Sequence, residues 1–289
     1  MMSKIAIITD VNAGLDYIGY DPQIPTLRSV INFGDEHYVD GTEIKADEFY
    51  KRIVEEKVIP STSAPTIGDA MTILDELVEK QYTDVILYSI SYQMSSIGQM
   101  VETLRPEYED KINIHVVDTK LAAIPQGYIA LQAKKMVEEG KSVEEILDYS
   151  KYLIDNSKVL FVVDNLMYLV KNGRLSGASG FAGTLLKIKP ILTITKEGKI
   201  VSFEKVKTHR KAVERAIQIF DEFIGDSKKG KIYVVHTVRE DDAKELAKYI
   251  DSKYPGFETE IQMITPAVGA HIGYGVLGIA GFVLDKYNK

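Results

Sequence analysis

Three clusters of hydroxyl side chains and one histidine carry most of the chemistry this sequence offers. Thr62-Ser63 lies in PSTSAP (60–65), Ser95-Ser96 follows the apolar run 84–91, and Thr9-Asp10 closes the run KIAIIT. Each cluster falls where a strand ends or a helix starts, the place where an α/β sheet binds ligands and where free amides favour an anion. Taken singly, each reads better as a cap or turn residue. The histidine, His271, sits inside ITPAVGAHIGYGVLGIAGFVL (264–284), a run without Asp, Glu, Lys or Arg. An imidazole in such surroundings must find a hydrogen-bond partner or face a cavity. Glycines at 269, 273, 275, 278 and 281 let backbone approach backbone, or a ligand, closely. Hydroxyls, one imidazole and long apolar segments together suggest a pocket with an oxyanion end and an apolar body.

Composition removes several other chemistries. The chain has no cysteine, which excludes disulfides, thiolate nucleophiles and thiolate metal sites. Its five histidines, at 37, 115, 209, 236 and 271, show no metal-ligand spacing, so no metal is expected. A net charge of −7 argues against nucleic acid as a partner. The charge is uneven: residues 171–215 carry eleven Lys or Arg against three Glu, either a solvated face or a docking surface for an acidic protein or a phosphate group. Run 264–284 is long enough to cross a bilayer, but its glycines, Pro266 and His271 make a poor span. The start, MMSKIAIITD, has no signal-peptide pattern, and the expected location is the cytoplasm.

Two motifs mislead. Gly273-Tyr-Gly275-Val-Leu-Gly278 matches the dinucleotide fingerprint but lacks the rest of a βαβ unit after it, and no acidic residue follows about 20 positions on. Gly225-Asp-Ser-Lys-Lys-Gly230-Lys231 resembles a phosphate-binding loop, yet Ile232 stands where Ser or Thr would hold magnesium. No nucleophile elbow and no H-E-x-x-H are present.

Apolar runs place the elements that position these groups. Runs 4–9, 84–91 and 112–118 read as buried strands, with helices over 46–56, 67–80 and 124–139. Thr66 with Asp69, and Ser142 with Glu145, form capping boxes. Residues 24–33 read as extended and 60–65 as a loop. Continuous apolar strands alternating with helices imply a parallel-sheet α/β domain over 1–156. From Val159 the pattern becomes α+β, with a hairpin around the KEG turn (196–198), so residues 157–289 form a second domain expected to hold the apolar pocket.

The blocks IITD, P-x-T-S-x-P (60–65), the serine loop 89–96, VVDT (116–119), VDNLMYLVKNGRLSG (163–177) and TPAVGAHIGYGVLG (265–278) resemble, in order and spacing, the DegV family of bacterial lipid-binding proteins. Members serve as the fatty-acid-binding subunits of fatty acid kinase. The resemblance covers nearly the whole chain. It implies a two-domain fold that buries a long-chain fatty acid, presents its carboxyl end to a kinase catalytic subunit, and itself needs no cofactor. It also implies a role in phospholipid synthesis and leaves room for transient contact with a membrane surface. By the same resemblance, Thr62, Ser63, Ser95 and His271 hold the carboxyl group, and Arg174 is a surface contact to the kinase. This chain departs from the family pattern at Val11-Asn12-Ala13, at Ser95-Ser96-Ile97 and at Ala64.

Burying a methylene is worth about 0.8 kcal/mol, so a chain of about sixteen carbons gains on the order of 12 kcal/mol before ordering costs. The head group then need only avoid an unpaired buried charge. A carrier of this kind is not an enzyme. The competing readings are a serine acyl hydrolase or transferase using Ser95 and His271, and a lipid-sensing interaction module built on the basic segment.

Overall fold

The computed structural model describes residues 3–181 and 188–287. Ala182 and Gly183 at the end of the Gly/Ser segment, and Lys187 of the basic segment, lie outside them.

The first strand, β1 (Ile5–Asp10), is buried along its whole length. The stretch expected to be extended over 24–33 divides. Thr26–Leu27 (β2) pairs in parallel with β1, while Val30–Phe33 (β3) turns away and pairs with Glu36–Val39 (β4). Helix α1 (Ala46–Glu56) covers this small sheet with Phe49 and Ile53, neither of which reaches solvent. PSTSAP is not simply a loop: Ser61–Ser63 (β5) adds an antiparallel edge strand to β3.

Helix α2 (Ile67–Glu79) opens on the expected capping box, Thr66 and Asp69 satisfying each other's backbone amides. Strand β6 (Asp84–Ser89), short helices α3 (Ile97–Glu102) and α4 (Arg105–Tyr108), and strand β7 (Asn113–Asp118) follow. The order β2-β1-β6-β7, parallel throughout, is the α/β sheet anticipated from the apolar runs. Helix α5 (Ile124–Glu138) is buried continuously from Ile124 to Ala130. A helix apolar on all sides lies between layers, and α5 packs on β1 and β6 on one side and the second sheet on the other. Helix α6 (Val143–Asp155) carries the second capping box, Ser142 with Glu145.

Residues from Ser157 onward build that second sheet. Strand β8 (Ser157–Val162) leads through α7 (Met167–Lys171) to the hairpin β9 (Lys189–Ile194) and β10 (Ile200–Val206). Helix α8 (His209–Ile224), β11 (Gly230–His236), α9 (Glu240–Lys253) and β12 (Phe257–Met263) follow. The uncharged run 264–284 resolves into helix α10 (Pro266–Ile272) and strand β13 (Leu277–Val283). Strand β13 enters the middle of the sheet, giving the order β10-β9-β8-β13-β11-β12. Only β11 and β12 run parallel.

One face of this sheet packs on α8 and α9; its other face joins the core of the parallel sheet around α5. The second sheet begins at Ser157, and one core cluster contains residues from both sides of that point. Helix α10 crosses back to pack on α1, β3 and β5. Among the described residues no helix is long and apolar enough to cross a membrane.

Candidate functional site

Between the two sheets lies a cavity that encloses about 1040 Å³ when the open space at its mouth is counted. Its body is apolar. The parallel-sheet half contributes Ile90, Met94 and Pro125, and the second sheet contributes Val159, Phe161 and Val235. The pocket expected in residues 157–289 is therefore built by both halves, because the apolar faces of both sheets meet at α5. Its polar groups are Asn12, Ser29, Thr62, Ser95, Ser96, Arg174 and His271.

Thr62 and His271, 209 residues apart in sequence, meet here: Thr62 Oγ1 lies 2.8 Å from His271 Nε2. Each arrives by a separate device. Thr62 is the middle residue of β5, opposite Ile31, and strand alternation turns it inward while its neighbours turn out. His271 is in the last turn of α10, which three contacts anchor. Asp40 Oδ2 accepts from Ala267 N (2.7 Å) and Thr265 Oγ1 (3.0 Å), and Tyr50 Oη donates to Ile264 O (2.7 Å). Asn172 Nδ2 then ties Pro60 O, before β5, to Ala270 O in α10, clamping the pair together.

Burial and the nearby Arg174 guanidinium lower the His271 pKa to about 4, so the ring is neutral at pH 7. Its Nδ1 is sealed from solvent and has no hydrogen-bond partner among the described residues. A buried polar atom left in this way costs free energy until a ligand group meets it.

Ser95 lines the same cavity, half-buried, and its hydroxyl makes no hydrogen bond among the described residues. Two expectations need correction. Ser63 does not line the cavity; its Oγ is exposed and accepts from Asn32 Nδ2 (3.0 Å), because β5 alternates and Thr62 takes the inward side. Arg174 is not a free surface cation. It is half-buried in the cavity wall, where Nε donates to Met94 O (3.2 Å) and a second nitrogen to Asn172 O.

The Thr9-Asp10 cluster is structural. Asp10 is fully buried and accepts from Ile90 N and from Asn12 N and Nδ2 (2.8, 3.1 and 2.7 Å). Its role is to aim Asn12 at the cavity, and the D-x-N spacing is the signal that could have revealed Asn12. Ser29 had no such signal.

The glycines of the final run serve packing. At Gly273 and Gly275, φ is +79° at both, and an added Cβ would meet the Tyr168 ring at 2.6 Å and Asp164 Oδ2 at 2.0 Å. These two residues turn the chain from α10 into β13, and no nucleotide loop is formed.

The geometry also bears on the hydrolase reading. A serine nucleophile needs a base bonded to it and a third group orienting that base. Here the Nε2 of His271 is bonded to Thr62, no acid meets Nδ1 among the described residues, and a pKa near 4 makes a weak base.

What this fold and site define is an apolar ligand pocket between two sheets with one hydroxyl–imidazole end. The family model described as "Uncharacterised protein, DegV family" matches residues 4–283, and the chain belongs to that family. A DegV domain-containing protein of Staphylococcus aureus (strain N315) is 34% identical over 98% of both chains. The structure of DegV from Bacillus subtilis, described as a fatty acid binding protein, superposes with a TM-score of 0.88 at 30% identity, covering 98% of this chain and 100% of that one. A Streptococcus pneumoniae structure, the Fatty Acid Kinase B3 protein loaded with linoleic acid, shares the fold with a TM-score of 0.83 at 19% identity, covering 97% and 100%.

Proposed function

We propose that this chain binds a long-chain fatty acid in the cavity and presents its carboxyl end to a partner kinase, which phosphorylates it with ATP. The observation that carries this reading is the hydrogen-bonded Thr62–His271 pair in the lining of a mainly apolar cavity. The fatty-acid-binding description of the Bacillus subtilis relative supports the ligand class. The VDNLMYLVKNGRLSG block, through the family resemblance, supports the kinase.

In this reading the acyl chain lies along Ile90, Phe161 and Val235, and the carboxylate meets the Ser95 hydroxyl and the open Nδ1 of His271, whose ring Thr62 holds in orientation. A neutral imidazole protonated at Nδ1 donates to the carboxylate while Nε2 accepts from the Thr62 hydroxyl. Arg174 supplies the compensating charge in the cavity wall, and its half-exposed guanidinium also meets the docked kinase. The chain performs no chemistry itself: it keeps water from the tail, orients the head and leaves the phosphoryl transfer to the partner. It works in the cytoplasm, with transient contact at a membrane surface where the poorly soluble acid is collected.

Mass spectrometry of an organic extract from purified protein tests the ligand. The expected result is one predominant acyl species per chain. Finding none, with no uptake of added fatty acid by the lipid-free protein, would sink the proposal.

A further inference from the structure

Three elements run from the cavity to a separate groove on the outer surface, and each carries an aromatic ring next to its cavity-lining residue on the way to the groove. On β11, Val235 lines the cavity, Tyr233 follows two residues back on the same face, and Lys231 lines the groove. On β13, Ala280 lines the cavity, Phe282 follows, and Leu284 lines the groove. On α5, Pro125 lines the cavity, Tyr128 is one turn on, and Leu131 lines the groove. The three rings form one cluster: Tyr128 and Phe282 centroids are 4.7 Å apart, and Tyr128 and Tyr233 centroids 6.0 Å. All are buried, with relative exposures of 7%, 2% and 0% for Tyr128, Tyr233 and Phe282.

The far side of this wall is charged. Lys231, itself only 5% exposed, pairs with Glu258 at 3.1 Å and with Glu260, and its ammonium lies 5.1 Å from the Tyr233 ring centroid. Tyr128 and Tyr233 both line the groove, while their neighbours Pro125 and Val235 line the cavity. Tyrosine suits such a partition because it presents an apolar ring to one side and a polar tip to the other. None of the three rings lines the cavity itself; each stands next along its element from a residue that does, and hydrocarbon that passed them would meet an ion cluster.

We propose that Tyr128, Tyr233 and Phe282 form the stop that sets the longest acyl chain this pocket accepts. The inference rests on the fatty-acid reading above. It assigns chain-length selection to residues from three elements that are remote in sequence and absent from the polar lining around Thr62 and His271.

The experiment has two arms on the full, lipid-free chain. In the first, saturated fatty acids of increasing length compete with a head-labelled fatty acid. The variants Tyr128→Ala and Tyr233→Ala should raise the longest accepted chain by about five carbons, the extended hydrocarbon that spans the ~6.8 Å between residues two apart on a strand. Tyr128→Phe and Tyr233→Phe, which keep the rings, should leave the limit where it is. In the second arm, a fatty acid with a diazirine on its terminal carbon is photolysed in the unmutated protein, so that a folding defect in a variant leaves the question decidable. Adducts should fall on Tyr128, Tyr233 or Phe282. An unchanged length limit in folded alanine variants, or adducts elsewhere, would overturn the stop. Failure of the unmutated protein to bind the head-labelled acid at all would instead remove the fatty-acid reading.

Discussion

Replacing Thr62 by Val keeps the shape of the side chain and removes one hydroxyl. The Thr62–His271 hydrogen bond of 2.8 Å then disappears, and His271 has neither ring nitrogen paired, since Nδ1 has no partner among the described residues. In the reading above, the variant also loses the hydroxyl that fixes the tautomer in which His271 Nδ1 donates to the carboxylate, a hydrogen bond to a charged acceptor worth about 1.5–3 kcal/mol. That corresponds to roughly a ten- to 150-fold rise in Kd. His271→Ala breaks the same unit, so the two losses should not add: the double variant should bind about as weakly as the weaker single one, with a coupling close to the smaller single loss, about 1.5–3 kcal/mol. Calorimetric titration of lipid-free protein with one fatty acid measures all four corners of the cycle. Additive losses, or a Thr62→Val variant that binds within twofold of the unmutated chain, would refute the claim that the pair holds the head group.

Other consequences follow from neighbouring residues. Ser63→Ala should leave lipid binding unchanged and shift stability by less than about 0.5 kcal/mol, because the side chain is on the outer face of β5; a large loss of binding would return Ser63 to the site. The folded-state pKa of His271, about 4 against an ordinary 6.5, means the unfolded chain binds more protons between those values. Its contribution to stability is therefore present above about pH 6.5 and is lost as pH falls towards 4, by at most about 3 kcal/mol; the difference in unfolding free energy between the unmutated chain and His271→Ala, measured from pH 4 to 7, should rise with pH. Bound carboxylate should also raise the His271 pKa, visible as a shifted imidazole titration in NMR. Asp40→Ala removes both acceptor contacts that anchor α10 and should cost about 2 kcal/mol of stability and weaken lipid binding with it. Gly275→Ala should destabilise the fold by driving a Cβ into Asp164, read as a lowered Tm.

Much of the fold is written locally. Strands β1 and β6 are mainly apolar runs because the middle of the parallel sheet is covered on both faces, and both capping boxes stand where Thr66-x-x-Asp69 and Ser142-x-x-Glu145 put them. Strand β5 was not legible as a strand: Ser-Thr-Ser has no apolar alternation, and its pairing depends on β3, some thirty residues earlier. Nor could residues 264–284 show that β13 would enter the sheet between β8 and β11, since that choice is made by long-range pairing. Thr62, Ser95 and His271 were legible as site candidates through residue type and context, and the structure brings them to one cavity. Ser63 failed because a one-residue step reverses the face of a strand. Arg174 was placed at the surface through the family resemblance, and its half-buried position is set by Met94 and Asn172. Within the basic segment Lys189, Arg210 and Arg215 pair with Asp164, Glu214 and Glu204, which reduces the free positive face.

The most direct measurement is a crystal structure of the chain with a saturating long-chain fatty acid. The account predicts acyl density along Ile90, Phe161 and Val235 with the carboxyl group in hydrogen-bonding reach of Ser95 and His271 Nδ1. An empty cavity, or a ligand bound with its carboxyl group at the Tyr128–Tyr233 end, would contradict it.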